Sequence, residues 1–196
     1  SYESDYYAKS AVKIIMENLP KSYRDGNDIK ARELMGIAAF YAGYAFSKSL
    51  LGYVHSISHR LSKNYGTPHG LANAMVLPHV LDFSKDKIEG RLSELAIAIG
   101  EDDTKSESIL AQLFIDRVVA LSAEVGIPTS LDKLVESDIE EIAEKALEEA
   151  HFIYAVPKYM SAEECAGVVR QLLPKPEAQR VQNAEIKKNV VENSVS

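Results

Sequence analysis

The chain has 196 residues, 46% of them hydrophobic and 26% charged, a composition that suits a folded globular protein with one full core or two small ones. Its formal net charge is −7, and no Lys/Arg cluster is interleaved with aromatics, which argues against nucleic acid or an acidic membrane surface as a partner. The single cysteine, Cys165, excludes an internal disulfide, no CxxC pair offers a structural zinc site, and no apolar run nears the roughly 18 residues that cross a bilayer, so a reducing cytoplasm is the expected location.

Apolar residues recur every three or four positions almost throughout, and strict alternation never lasts long enough for a strand. The pattern predicts an all-α fold, a bundle-like domain of about seven to nine helices over 1–173 with a polar tail over 174–196. The chain opens on Ser1-Tyr2-Glu3-Ser4-Asp5 without methionine, directly before an amphipathic segment, which points to a piece of a longer protein or a processed product. Ser4 or Asp5 is placed to cap a first helix carried by Tyr7, Ala11, Ile14 and Ile15, which Pro20 is expected to stop. Asn27 or Asp28 caps a long second helix to Leu50, with Ile29, Leu34, Ile37, Ala38, Tyr41, Ala45 and Phe46 on one stripe. Its small residues Gly36, Ala39, Ala42 and Gly43 predict close backbone packing, and so a central, buried helix.

A helix over about Gly52 to Lys63 ends before Gly66-Thr67-Pro68, and the next begins near His69 or Gly70 with an expected kink at Pro78. A shorter helix follows over Gly90 to Ile99, then a longer one over Ser106 to Val125 with Ile109, Leu113, Phe114, Val118 and Leu121 facing inward. Gly126-Ile127-Pro128 is a stop. Ser137 or Asp138 caps a helix to Ala150, and Ser161 with Glu164 forms a capping box for a last one to Leu173. The Glu140, Glu141, Glu144, Glu148 and Glu149 run reads as a solvated face, His151 as a structural residue near a helix C-terminus, and His79 as structural or at a cleft edge. Tyr2, Tyr6, Tyr7 and Tyr41 to Tyr53 read as core or interface. There is no internal repeat and no Gly-rich phosphate loop.

Three of the five histidines lie between Gly52 and Gly70. His55 and His59 share one helix face about 6 Å apart, and His69 follows a break that lets the chain turn back on itself. Neutral imidazole is a common ligand of divalent metals, and spacing alone would pair His55 with His59. A histidine pair at this spacing also arises by chance on many helices, so the pattern has a bland reading as well.

The segments Ala42-Gly43-Tyr44-Ala45-Phe46, Leu51-Gly52-Tyr53-Val54-His55 and Pro68-His69-Gly70-Leu71-Ala72-Asn73-Ala74-Met75-Val76-Leu77-Pro78, with His59 between, resemble the helical, dehydroquinate synthase-like C-terminal domain of iron-containing (group III) alcohol dehydrogenases. The resemblance implies that His55 and His69, rather than His55 and His59, bind the metal, iron or zinc. It places His59 beside the metal as the catalytic residue facing nicotinamide and substrate, and Phe46 in the substrate pocket. It further implies a small alcohol and its aldehyde or ketone as substrates, NAD or NADP held by a separate α/β N-terminal domain, and a homodimer. In such enzymes a Lewis acid lowers the pKa of the alcohol while hydride passes from the carbinol carbon to the nicotinamide.

Two departures qualify the resemblance. The family's other two ligands, in an Asp-Ala-x-x-His-Ala segment, have no counterpart in this sequence, so the chain alone is expected to be inactive and to hold metal weakly. Ser62-Lys63 stands where many relatives carry glycines. Two other readings stay open at this point: a non-enzymatic helical interaction module, and a zinc-dependent hydrolase using three histidines and one carboxylate.

Overall fold

The structure, a computed structural model, describes residues 1–175. Beyond Lys175 the expected polar tail lies outside the described residues. Within them there are seven α-helices and no strand: α1 (Tyr2–Arg24), α2 (Ile29–Ser49), α3 (Tyr53–Tyr65), α4 (His69–Ala98), α5 (Glu107–Glu124), α6 (Ile139–Ile153) and α7 (Ala162–Arg170), with a 3₁₀ turn at Glu136–Asp138.

Local chemistry sets most of the ends. Asp28 accepts a hydrogen bond from the Ala31 N–H, Ser106 from the Ile109 N–H, and Ser161 with Glu164 closes a reciprocal capping box, each satisfying orphan donors of a first turn. The first helix starts earlier than Ser4 or Asp5 suggested, because Ser1 is the cap and Ser4 its box partner. Pro20 does not end α1. It sits inside the helix, buried, and the helix closes only where the Asp25 N–H bonds the Lys21 carbonyl. A proline deletes one intrahelical bond, and packing of α1 along α2 outweighs that loss.

Two apolar clusters make the core. In the larger, Ile57 and Leu61 of α3, Val76 of α4, Ile142 of α6 and Val169 of α7 are fully buried, each burial contributing roughly 1.5–3 kcal/mol. In the smaller, Leu92 and Ala96 of α4 pack on Leu110, Phe114 and Ile115 of α5. Helix α4 therefore belongs to both, and it breaks between them: Ile88 has non-helical dihedrals (φ −128°, ψ 18°). Pro78, where a kink was expected, lies inside the helix with helical dihedrals, whereas the kink at Ile88 divides α4 into two helical pieces, the second of which accords with the separate helix expected from Gly90. Helix α5 is rotated slightly from its expected phase, leaving Ile109 exposed and burying Leu110 and Ala111 instead.

The largest correction concerns α2. It is peripheral, packing along α1, and buries only Ala31, Ala38 and Ala45. Ile29, Ile37, Phe40 and Phe46 are exposed, and a Cβ placed on Gly36 or Gly43 would meet nothing within 4 Å. The small-residue face that predicted burial has no partner among the described residues. Tyr2 and Tyr6, expected in the core or an interface, are likewise exposed. No single helix among the described residues is long and apolar enough to cross a membrane.

Candidate functional site

Helix α2 ends at Leu50, whose φ of 66° and ψ of −174° lie in a region that is essentially glycine's. The turn there bends the chain by 109° into α3, which brings His55 in the first turn of α3 near Phe46 in the last turn of α2. Gly66, left-handed at φ 67°, ends α3, and Pro68 leads straight into α4 with His69 as its first residue. By this path the chain brings together the four side chains that the sequence singled out.

The ring centres of His55 and His69 are 5.4 Å apart with planes at 51°, and Phe46 lies 6.4 Å from His55. Two imidazoles gripping one ion at about 2.1 Å with near-tetrahedral angles have ring centres roughly 5 Å apart, so His55 and His69 could share an ion. His59 lies 5.2 Å from His69, but their planes are nearly parallel at 20° and do not meet close to the rings, which sets His59 apart from such a pair. Burial first, and then the neighbouring charges of His69 and His59, push the His55 pKa below its ordinary value, so this imidazole is neutral at pH 7 and its lone pair is free to bind. His69 is exposed at its helix start, and Asn73 Nδ2 lies 3.0 Å from its Nε2. The Asn73 Oδ1 next to it is buried with no partner, a polar atom that calls for a further group at this spot.

That donor set fits half of a metal site. Catalytic sites take three protein ligands or more, and no group of three His, Cys, Asp or Glu side chains among the described residues is arranged to hold an ion. Cys165 cannot contribute, since burial pushes its thiol up to about 12 and keeps it protonated. The hydrolase reading, which needs three histidines and a carboxylate on one ion, gains no support from this geometry.

The sequence missed one participant. Glu149, taken as solvated, turns into the site, its side chain 14% exposed. Its carboxylate accepts from His59 Nδ1 at 2.7 Å, from Arg60 Nη2 at 2.7 Å and from the Tyr154 hydroxyl at 2.9 Å. Burial alone would raise its pKa, but hydrogen bonds from Arg60, His59 and Tyr154 outweigh burial and hold the carboxyl below its usual value. A signal was present, because Glu149 shares the helical phase of the buried Ile142 and Ala146. His151 is structural as expected, bonded at 2.9 Å to the Tyr53 hydroxyl and stacked on Tyr159, while His79 lines a separate small cavity with Pro128.

Beside His55 opens a cavity of about 460 Å³ with mainly apolar walls, among them Phe46, Leu50, Leu77, Val80 and Val156. It could take a short carbon chain next to the imidazoles.

Residues 3–173 match the family model described as the Fe-containing alcohol dehydrogenase family, C-terminal. The chain belongs to the iron-containing alcohol dehydrogenase family. It is 36% identical over 171 residues to the 1,3-propanediol dehydrogenase of Citrobacter freundii and 33% identical over 173 residues to the NAD-dependent methanol dehydrogenase of Bacillus methanolicus. These alignments cover 86% and 87% of this chain but 44% and 45% of the two relatives, so the chain spans less than half the length of the curated relatives it matches. Among solved structures, a 1,3-propanediol oxidoreductase superposes with a TM-score of 0.82 at 34% identity, over 87% of this chain and 45% of that one. The alcohol dehydrogenase of Oenococcus oeni superposes with a TM-score of 0.80 at 31% identity, over 86% of this chain and 44% of that one. The all-α fold is thus that of the C-terminal part of iron-containing alcohol dehydrogenases.

Proposed function

We propose that this chain is the metal-binding half of an NAD(P)-dependent alcohol dehydrogenase and that a longer protein supplies the nucleotide-binding domain and the remaining metal ligands. The observation that carries the reading is the approach of His55 and His69, within the stretch that matches the family model, to a distance that suits one shared ion. Relatives named for methanol with NAD and for butanol with NADPH support a small alcohol as substrate and leave the choice of nucleotide to the other half.

Bound to His55 and His69, a divalent iron or zinc would supply a Lewis acid that makes the alcohol hydroxyl more acidic. The chain's own residues do the rest. Phe46 and the apolar walls of the cavity bind the carbon chain and exclude water from it. His59, 36% exposed, carries the hydroxyl proton towards solvent as hydride passes from the carbinol carbon to the nicotinamide.

The longer protein, loaded with iron or zinc and given a primary alcohol with NAD or NADP, is expected to reduce the nucleotide. Replacing His55 or His69 by Ala should strip its metal and lower kcat/KM by more than about 100-fold, the loss that even an outer partner of a ligand can reach. Residues 1–196 alone should show no turnover. Full metal content and activity in a His55→Ala, His69→Ala double variant would overturn the proposal.

A further inference from the structure

Glu149 is an ionised, largely buried carboxylate on α6 that reaches across to α3, and it can only accept hydrogen bonds. At 2.7 Å from His59 Nδ1 it therefore requires the proton of a neutral imidazole to sit on Nδ1, leaving Nε2 as the bare acceptor on the far side of the ring. Arg60 and Tyr154 hold the carboxylate in place with two further donors, so it is anchored independently of His59.

We propose that Glu149 is a positioning residue that fixes the tautomer and orientation of His59, presenting Nε2 as the nitrogen that takes a proton. The role in proton transfer rests on the dehydrogenase reading above, whereas the tautomer itself follows from the hydrogen-bond geometry alone. Replacement of one oxygen by an amide sharpens the proposal. Arg60 has no acceptor and must keep the remaining oxygen of a Glu149→Gln side chain. The NH₂ group then faces His59 and donates to Nδ1, while the Tyr154 hydroxyl can turn to accept from it. The variant should drive His59 into the opposite tautomer, with the proton on Nε2.

The test is nitrogen NMR of the histidine-labelled 196-residue chain near pH 9, well above the ordinary histidine pKa of about 6.5, with the His59 signals assigned by their loss in His59→Gln. The native chain should show the Nδ1–H form in about tenfold excess or more. Glu149→Gln should reverse the preference, while Glu148→Gln, at an exposed neighbour paired with Lys145, should leave it unchanged. An Nε2–H majority in the native chain, or an unchanged Nδ1–H form in folded Glu149→Gln, would overturn the proposal. The native spectrum decides even if the variant fails to fold. Because no turnover is read, failure here is separate from failure of the dehydrogenase reading, which would show as an inactive longer protein with the native tautomer intact.

Discussion

Leu50 carries the one positive φ among non-glycine residues described, in a region that costs an ordinary side chain on the order of 1–3 kcal/mol. The residue is 53% exposed, so little packing is lost on removing its side chain. Leu50→Gly should raise the unfolding free energy by about 1 kcal/mol, the strain relieved less the extra freedom glycine gives the unfolded chain, measured by chemical denaturation. His79 gives a pH dependence of known sign. Burial first, then Lys175, lowers its pKa in the folded state against the pull of Asp82. The unfolded chain therefore takes up a proton near pH 6.5 that the native state refuses, so this part of the stability is whole above about 6.5 and drains away as pH falls through the lower folded value. His79→Gln should shrink the difference in stability between about pH 7 and pH 5, and an unchanged difference would refute the assignment. At this scale the sequence was legible in that His55, His59 and His69, singled out together, do come to lie side by side, with ring centres 5.2–6.1 Å apart. Glu149 was legible only as a residue in the buried phase of α6, because His59 and Arg60 are brought to it by the packing of α3 on α6.

Among the elements, caps and stops were the readable part because they are satisfied within a few residues. Ser161 and Glu164 illustrate this: each side chain bonds the other's backbone N–H, at 3.2 and 2.8 Å. Ser161→Ala should cost about 1 kcal/mol, read as a lowered denaturation midpoint, whereas Ser137→Ala should cost little, since Ser137 caps no helix. Prolines misled. Pro20 and Pro78 lie inside helices whose packing outweighs one missing bond, whereas the break in α4 falls at Ile88, between two apolar clusters and two residues before Gly90, where the sequence had placed the start of a new helix. Helix α2 misled for a different reason. An apolar, glycine-rich stripe reports that a helix face is suited to cover, and it does not say whether the cover belongs to the same chain.

The arrangement of the whole molecule makes that last point measurable. Helices α3, α4, α6 and α7 close around large fully buried side chains, while α2 buries three alanines and leans chiefly on α1. The α1–α2 hairpin meets the body through Val12 and Met16 against the smaller cluster and through ion pairs, Lys9 with Glu94, Asp5 with Arg91 and Arg24 with Glu124. Those pairs are exposed to solvent and contribute at most about 1 kcal/mol each, less in salt. Opening the hairpin therefore sacrifices far less apolar burial than opening the α3–α4–α6–α7 body, and it should occur as a separate, cheaper event. Native-state hydrogen exchange on residues 1–196 should find amides in the middle of α2, around Ala38 to Ala42, exchanging at least about a hundredfold faster than those around Ala143 to Leu147 of α6. Added salt should widen the gap, because it weakens the ion pairs and leaves the apolar body untouched. Equal protection in α2 and α6 would mean that the hairpin and the body unfold as one unit. If a longer protein covers the face of Ile37 and Phe40, protection of α2 rises there towards that of α6, while the α6 amides themselves stay as they are.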